Sequence, residues 1–360
     1  MSQHEQPASD PRETQNDDSS ERRDFFRTAA TVSAAAVALG AVGKYAMAPA
    51  HAQAGGAASG DKWWPSRWGA ADEAGASNHI TPAKVLDAAK WIRDGKIYKL
   101  GRVYETDMPK FGSRAFTLRI PGSPTGGPFG ANKIVYNDEF LATEIGQVGT
   151  QFDGLGHIGI QLGKDGDKNE MRFYNGLSLQ EIGDAYGLKK LGAEKLKPIF
   201  TRAHLIDVMG VRGSMWDAGQ EIKVADIRAA LARQKINEAD IKQGDAVFFH
   251  TGWGSLWMKN NDRYGAGEPG PGVEAGKWLI DRGVCVVGAD SWGMECVPNP
   301  DKNLAFPLHA ELIAKNGIFI QENMVFDELL ADKKMQFVYS YTPSPIKGAT
   351  GSHGCPVAIT

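Results

Sequence analysis

The run Gln147-Val148-Gly149-Thr150-Gln151-Phe152-Asp153-Gly154-Leu155-Gly156-His157 places its polar, ligand-type side chains at 147, 151, 153 and 157. All four positions are odd. In an extended backbone they project to one side, because successive strand side chains alternate between faces. Gly149, Gly154 and Gly156 permit tight turns or close approach of other chain segments. An imidazole, a carboxylate and two amide oxygens on one side can hold a divalent cation. By spacing alone the run reads equally well as a glycine-rich turn, with Asp153 bonding its own backbone and His157 on the surface.

Working outward, strand and helix patterns alternate, separated by glycine turns. Residues 82–95 read as a helix, with Val85, Leu86, Ala89 and Ile92 near helical spacing. Residues 97–104 read as a strand, and 122–130 as a Pro/Gly loop suited to a flap near the site. Strands are expected at 200–208, 246–251, 284–289 and 318–322, and helices at 224–234, 272–281 and 305–315. This alternation predicts a single α/β or α+β domain over residues 55–360. Residues 63–78, aromatic and glycine-bearing, are expected to wrap over its body.

The chain is 42% hydrophobic and 23% charged, an ordinary globular composition. A formal charge of -3 supplies no field for collecting nucleic acid, so no nucleic-acid partner is expected. Residues 1–20 are polar and acidic. Arg22-Arg23 is followed by the mildly apolar run Thr28–Val42 and by Ala50-His51-Ala52-Gln53-Ala54. Paired arginines, a short apolar stretch and an Ala-x-Ala site read as a twin-arginine signal over residues 1–54, cleaved near Ala52 or Ala54. The expected partner is the twin-arginine export machinery and the expected location the periplasm. No stable membrane insertion is expected after cleavage. An uncleaved anchor is the competing reading, weakened by Lys44 and by an apolar run shorter than the ~20 residues a span needs. Cys285, Cys296 and Cys355 form no Cys-x-x-Cys motif and read as core or loop residues.

The run at 147–157 resembles the signature of the cyclase family, which includes bacterial kynurenine formamidases and isatin hydrolases. That signature is His-x-Gly-Thr-His-x-Asp-x-Pro-x-His, and Gly149-Thr150, Asp153 and His157 match it in register. The resemblance extends over most of residues 65–360. It takes in Trp68-Gly69 with Asp72-Glu73 and Asn78, Gly244–Val247 with His250–Trp253, Gly288–Ser291, His309, Glu322-Asn323 and Lys347–Ser352. It implies the family's swivelling β/β/α fold and a homodimer or homotetramer. It also implies a metal site with positions 147, 151, Asp153, His309 and Glu322 as ligands and His157 as proton shuttle. Glu322 is the alternative base.

The chain departs from the signature at Gln147 and Gln151, where the family has histidines, and at Leu155, where it has proline. Glutamine offers a neutral oxygen in place of an imidazole nitrogen. One metal ion in an oxygen-rich set is therefore expected, manganese favoured, with zinc or magnesium as alternatives. The activity implied is hydrolysis of an amide, cyclic amide or lactone bond in a small aryl or cyclic substrate, arylformamidase-like. A lyase, dehydratase or ring-closing enzyme on the same site, or a periplasmic binding protein that has lost catalysis, are the alternatives. Trp68, Trp253 and His250 are candidate substrate-pocket residues. Burial in the core is the competing reading for each. Asp290-Ser291 lacks the Gly-x-Ser-x-Gly context of a serine nucleophile.

Overall fold

The computed structural model describes residues 62–360. The expected signal at 1–54 lies outside the described residues. A nine-stranded sheet organises the structure. Its strands are β1 (Ile97–Lys99), β2 (Gln151–Asp153), β3 (Ile199–Asp207), β4 (Ala246–His250), β5 (Val286–Ala289), β6 (Phe319–Glu322), β7 (Gln336–Tyr341), β8 (Gly351–His353) and β9 (Val357–Ile359). Their spatial order is β1-β9-β7-β3-β4-β5-β6-β2-β8. Neighbours from β3 to β6 pair in parallel, and every other pairing is antiparallel.

The parallel centre follows from composition. Ala246-Val247-Phe248-Phe249 and Val286-Val287-Gly288-Ala289 are apolar without alternation, and all eight residues are buried. Such runs need cover on both faces. After a first helix, α1 (Pro82–Ala89), two more supply part of it, α2 (Val224–Gln234) between β3 and β4 and α3 (Val273–Asp281) between β4 and β5. α2 buries Val224, Ile227, Ala230 and Leu231, one face of a 3.6-residue period, and ends where Lys235 turns left-handed at φ 57°. α3 buries Ala275, Gly276, Trp278 and Leu279. The result is a mixed α/β fold with a sheet core and peripheral helices.

Three expected elements come out shorter or different. The helix at 82–95 stops at Ala89, because the Asp94 and Gly95 amides donate instead to Thr360 O at the far end of the chain. The strand at 97–104 stops at Lys99, because Leu100 N turns to Pro356 O and Arg102 N to the Thr150 hydroxyl. The helix at 305–315 is a short turn, Pro307–His309, running into a π-helical segment at Ala310–Lys315.

The loop expected at 122–130 belongs to a projecting arm. Phe116–Arg119 pairs antiparallel with Phe140–Thr143, and further out Gly126–Phe129 pairs with Ile134–Tyr136. Beneath its root lies a small second core of Met108, Phe116, Val148, Trp253, Trp257 and Tyr264. The three cysteines are unpaired, Cys285 and Cys296 buried and Cys355 exposed. Among the described residues no helix is long and apolar enough to cross a membrane.

Candidate metal centre

Glu322 ends β6 at the carboxyl edge of the parallel strands, where open α/β sheets place their ligands. Antiparallel pairing sets Gln151 opposite Glu322 and Asp153 opposite Ile320. Gln151 and Asp153 therefore share a face with Glu322, as their odd spacing predicts. Thr150 fixes this register: its hydroxyl donates to Asn323 O at 2.8 Å, while the Asn323 amide donates to Gly149 O at 2.8 Å. Asn323 takes a left-handed φ of 54°, and Tyr264 holds its side-chain oxygen with a 2.7 Å bond.

His309 arrives from the short turn at Pro307–His309. Glu295 caps that turn by accepting from the Leu308 and His309 amides at 3.1 and 2.8 Å. The same carboxylate lies 2.6 Å from His309 Nδ1. A proton held at Nδ1 leaves Nε2 aimed at Glu322 Oε1, 3.2 Å away, and Asp153 Oδ2, 3.7 Å away. A carboxylate behind a histidine is the usual way of fixing the tautomer of a metal-binding imidazole.

Ligand atoms of Asp153, His309 and Glu322 all lie within 4.8 Å of one another, and all three residues are buried. Asp153 Oδ2 is buried without a hydrogen-bond partner. Glu295 and Glu268 are buried nearby, so four carboxyl groups surround one imidazole. Burial and the charge of Asp153 push the Glu322 carboxyl up to about 8. Burial and the charge of Glu322 drive the Glu268 carboxyl well above the carboxylate range. Burial disfavours charge on His309, yet hydrogen bonds to Glu295 and Glu322 outweigh it and hold its pKa well above the usual value. Uncompensated negative charge at this depth is costly. One imidazole nitrogen and two carboxylates, one with an orphaned oxygen, fit a divalent cation.

His157 flanks the triad. Its Nε2 lies 3.8 Å from Asp153 Oδ1, and its side chain is 21% exposed. Burial holds its pKa below the ordinary histidine value despite the pull of Asp153. Both glutamines lie against the carboxylates of the centre. Gln151 donates its amide nitrogen to Glu322, and Gln147 donates at 2.9 Å to Asp153 Oδ1. Gln147 Oε1 accepts from Arg114 at 3.2 Å. Gln147 Nε2 also lies 3.4 Å from His157 Nδ1, so Gln147 touches both Asp153 and His157 while Gln151 touches Glu322.

The three expected pocket residues are spread over the molecule. Trp68 packs edge-on against His79 and lines a hollow with Ala76, Val284 and Ile318. Val284 and Ile318 precede β5 and β6, at the sheet edge opposite Glu322. Trp253 is 1% exposed, donates to Tyr264 O at 3.1 Å and belongs to the small core below the arm. His250 is bonded to Asp207 at 2.7 Å on the carboxyl edge. It is two strands from β6, about 10 Å at ~4.8 Å per strand. Glu295 and Arg114 also stand at the centre, and the sequence hardly marks either. An acid between Met294 and Cys296 is a faint signal for Glu295; Arg114 carries none.

The family described as "Putative cyclase" matches residues 98–296, a span that holds Asp153, His157 and Glu295 and stops short of His309 and Glu322. Among solved structures, a protein described as a novel cyclase is 28% identical with a TM-score of 0.70, over 81% of this chain and 96% of its own. Isatin hydrolase A from Ralstonia solanacearum is 19% identical with a TM-score of 0.54, over 78% and 96%. Isatin hydrolase A from Labrenzia aggregata, in complex with benzyl benzoate, is 18% identical with a TM-score of 0.52, over 75% and 94%. At such identities the isatin hydrolases share the fold. No curated protein matches the chain.

Proposed function

The chain belongs to the cyclase family, and on that footing we propose that it is a metal-dependent hydrolase, arylformamidase-like, opening an amide, cyclic amide or lactone bond in a small aryl or cyclic substrate. The observation that carries this reading is the buried convergence of Asp153, His309 and Glu322, with His157 beside them. These three residues would hold the cation, and Gln147 and Gln151 would orient the two carboxylates. Two carboxylates and one imidazole favour manganese or magnesium, with zinc as the alternative. When bound, a divalent cation supplies Lewis-acid polarisation of the acyl oxygen and a lowered pKa for water.

His157 does the proton work. Burial keeps its ring neutral near pH 7, so it can take the proton of the attacking water. The imidazolium that forms is stabilised at Nε2 by Asp153 Oδ1 and returns the proton to the departing nitrogen or oxygen. Glu295 keeps His309 Nδ1 protonated and its Nε2 on target. The wider proposal includes export by the twin-arginine route, a periplasmic location and a homodimer or homotetramer. Arg22-Arg23 and the Ala-x-Ala sites support the first two, and the apolar arm supports the third.

The test is metal removal. Chelated protein is expected to lose turnover of N-formylaryl amides, isatin-type lactams or aryl lactones, and to regain it with manganese, zinc or magnesium. Run in ¹⁸O-water, the product should carry one solvent oxygen. A metal-loaded protein that turns over none of these, or a product without solvent oxygen, overturns the reading in favour of binding or of elimination chemistry.

A further inference from the structure

Arg114 stands at the root of the arm, two residues before its first strand, and is half-buried. Its guanidinium is held by neutral oxygens: Nη1 donates to Phe111 O at 3.1 Å and Nη2 to Gln147 Oε1 at 3.2 Å. Among the described residues it forms no ion pair with a carboxylate. A guanidinium has five N–H donors in a planar fork, so most of this one is unengaged. Yet it lies close enough to bear electrostatically on both Glu322 and His157. Gln147 is the bridge, since its other end donates to Asp153.

Beside this cation runs an aromatic wall that ends at the triad. The Arg114 guanidinium sits 5.2 Å from the centre of the Phe111 ring. Phe111 stacks on Trp292 at 4.8 Å and 16°. Trp292 meets Phe306 edge-on at 6.2 Å, and Phe306 meets His309 edge-on at 5.4 Å. A flat group set against these rings would have both the metal triad and the guanidinium fork within reach, since Gln147 alone separates Arg114 from Asp153. Carboxylate is the complement of that fork, because two parallel N–H donors match its two oxygens.

We propose that Arg114 is a specificity-determining residue and that it binds a carboxylate borne by the substrate on a planar group lying along Phe111 and Trp292. The proposal rests on the reading of the triad as the site of hydrolysis. It restricts the substrate class to anionic aryl or similarly flat acyl compounds. Neutral analogues are turned over with higher KM rather than lower kcat, since the fork holds a carboxylate that takes no part in the bond that breaks.

The experiment is calorimetric titration of the metal-loaded full chain with phenylacetate and with its neutral analogue phenylacetamide. Wild type is expected to prefer phenylacetate at least tenfold. Arg114→Gln should abolish the preference through a loss of roughly 10- to 100-fold for phenylacetate, with phenylacetamide unchanged. Arg114→Lys should keep part of the preference, as a point charge without the fork. Three results overturn the proposal: no preference in wild type, a preference that survives Arg114→Gln, or an equal loss of both ligands in both variants. The second is what direct capture of the carboxylate by the metal would give. Metal content and circular dichroism of each variant are measured alongside. Binding is read without turnover, so a protein that hydrolyses nothing but shows the Arg114-dependent preference refutes the hydrolase and leaves this inference standing. A hydrolase whose Arg114→Gln variant binds phenylacetate normally does the reverse.

Discussion

His157 gains its use from being partly withdrawn from water. Removing an imidazole from water disfavours its charged form, and here that effect exceeds the attraction of Asp153. A cation in the triad would add to the downward shift. A base works only when unprotonated, so the acid limb of kcat/KM should fall at a pH below the ~6.5 of a free histidine. Activity is retained above that limb and lost beneath it. His157→Ala is expected to lower kcat by roughly 10²- to 10⁴-fold and to remove the limb, with bound metal unchanged. A pH–rate profile of the variant that keeps the same acid limb would assign it to another group. Asp153 and His157 stood out by their spacing in 147–157, which fits a turn equally well, and His309 and Glu322 were legible only through the resemblance to the cyclase family, since nothing local marks them. Glu295 and Arg114 were not, since each acts only through a neighbour that tertiary structure supplies: His309 is 14 residues from the first and Gln147 is 33 from the second.

The triad depends on strands that touch through glycine. β2 is squeezed between β6 and β8, with Gly351 opposite Asp153. A Cβ at Gly351 would come within 2.5 Å of Phe152 O, a backbone atom that cannot step aside alone. Gly154 is confined in the same way, 2.7 Å from Thr350 O. Gly351→Ala should therefore push β8 from β2, cost about 1–3 kcal/mol as overpacking does, and weaken metal binding by shifting Asp153. Denaturant unfolding and metal titration check this; unchanged stability would show that β8 yields freely. Sequence patterns located α2 to the residue and placed the central parallel strands within two residues, because continuous apolar runs and helical periodicity are local signals. They could not give the arm. Phe116 pairs with Thr143, 27 residues on, through a ribbon whose apolar residues follow no core-facing period. They also could not foresee Thr360 capturing the amides of Asp94 and Gly95, a contact made from the opposite end of the chain.

At the scale of the molecule the arm is a stretch whose apolar surface the other described residues leave uncovered. Phe129, Val135 and Phe140 are each more than half exposed, at 57%, 56% and 56%. Ile134, Leu118 and Leu141 are exposed with them. A lone two-stranded ribbon is marginal in water, and apolar patches of this kind mark association surfaces. A second copy of the chain covering the ribbon would remove both difficulties, given a stable interface of about 1,200–2,000 Å² in total. The expected outcome is a dimer or larger assembly of the wild type by sedimentation equilibrium. The double variant Val135→Glu/Leu141→Glu should then shift it to monomer at micromolar concentration. Arg114 stands at the root of this ribbon, so the monomeric variant should also lose part of the phenylacetate preference while keeping its metal. Wild type sedimenting as a monomer would leave the arm free in solution, and a variant that still associates would move the interface to another face.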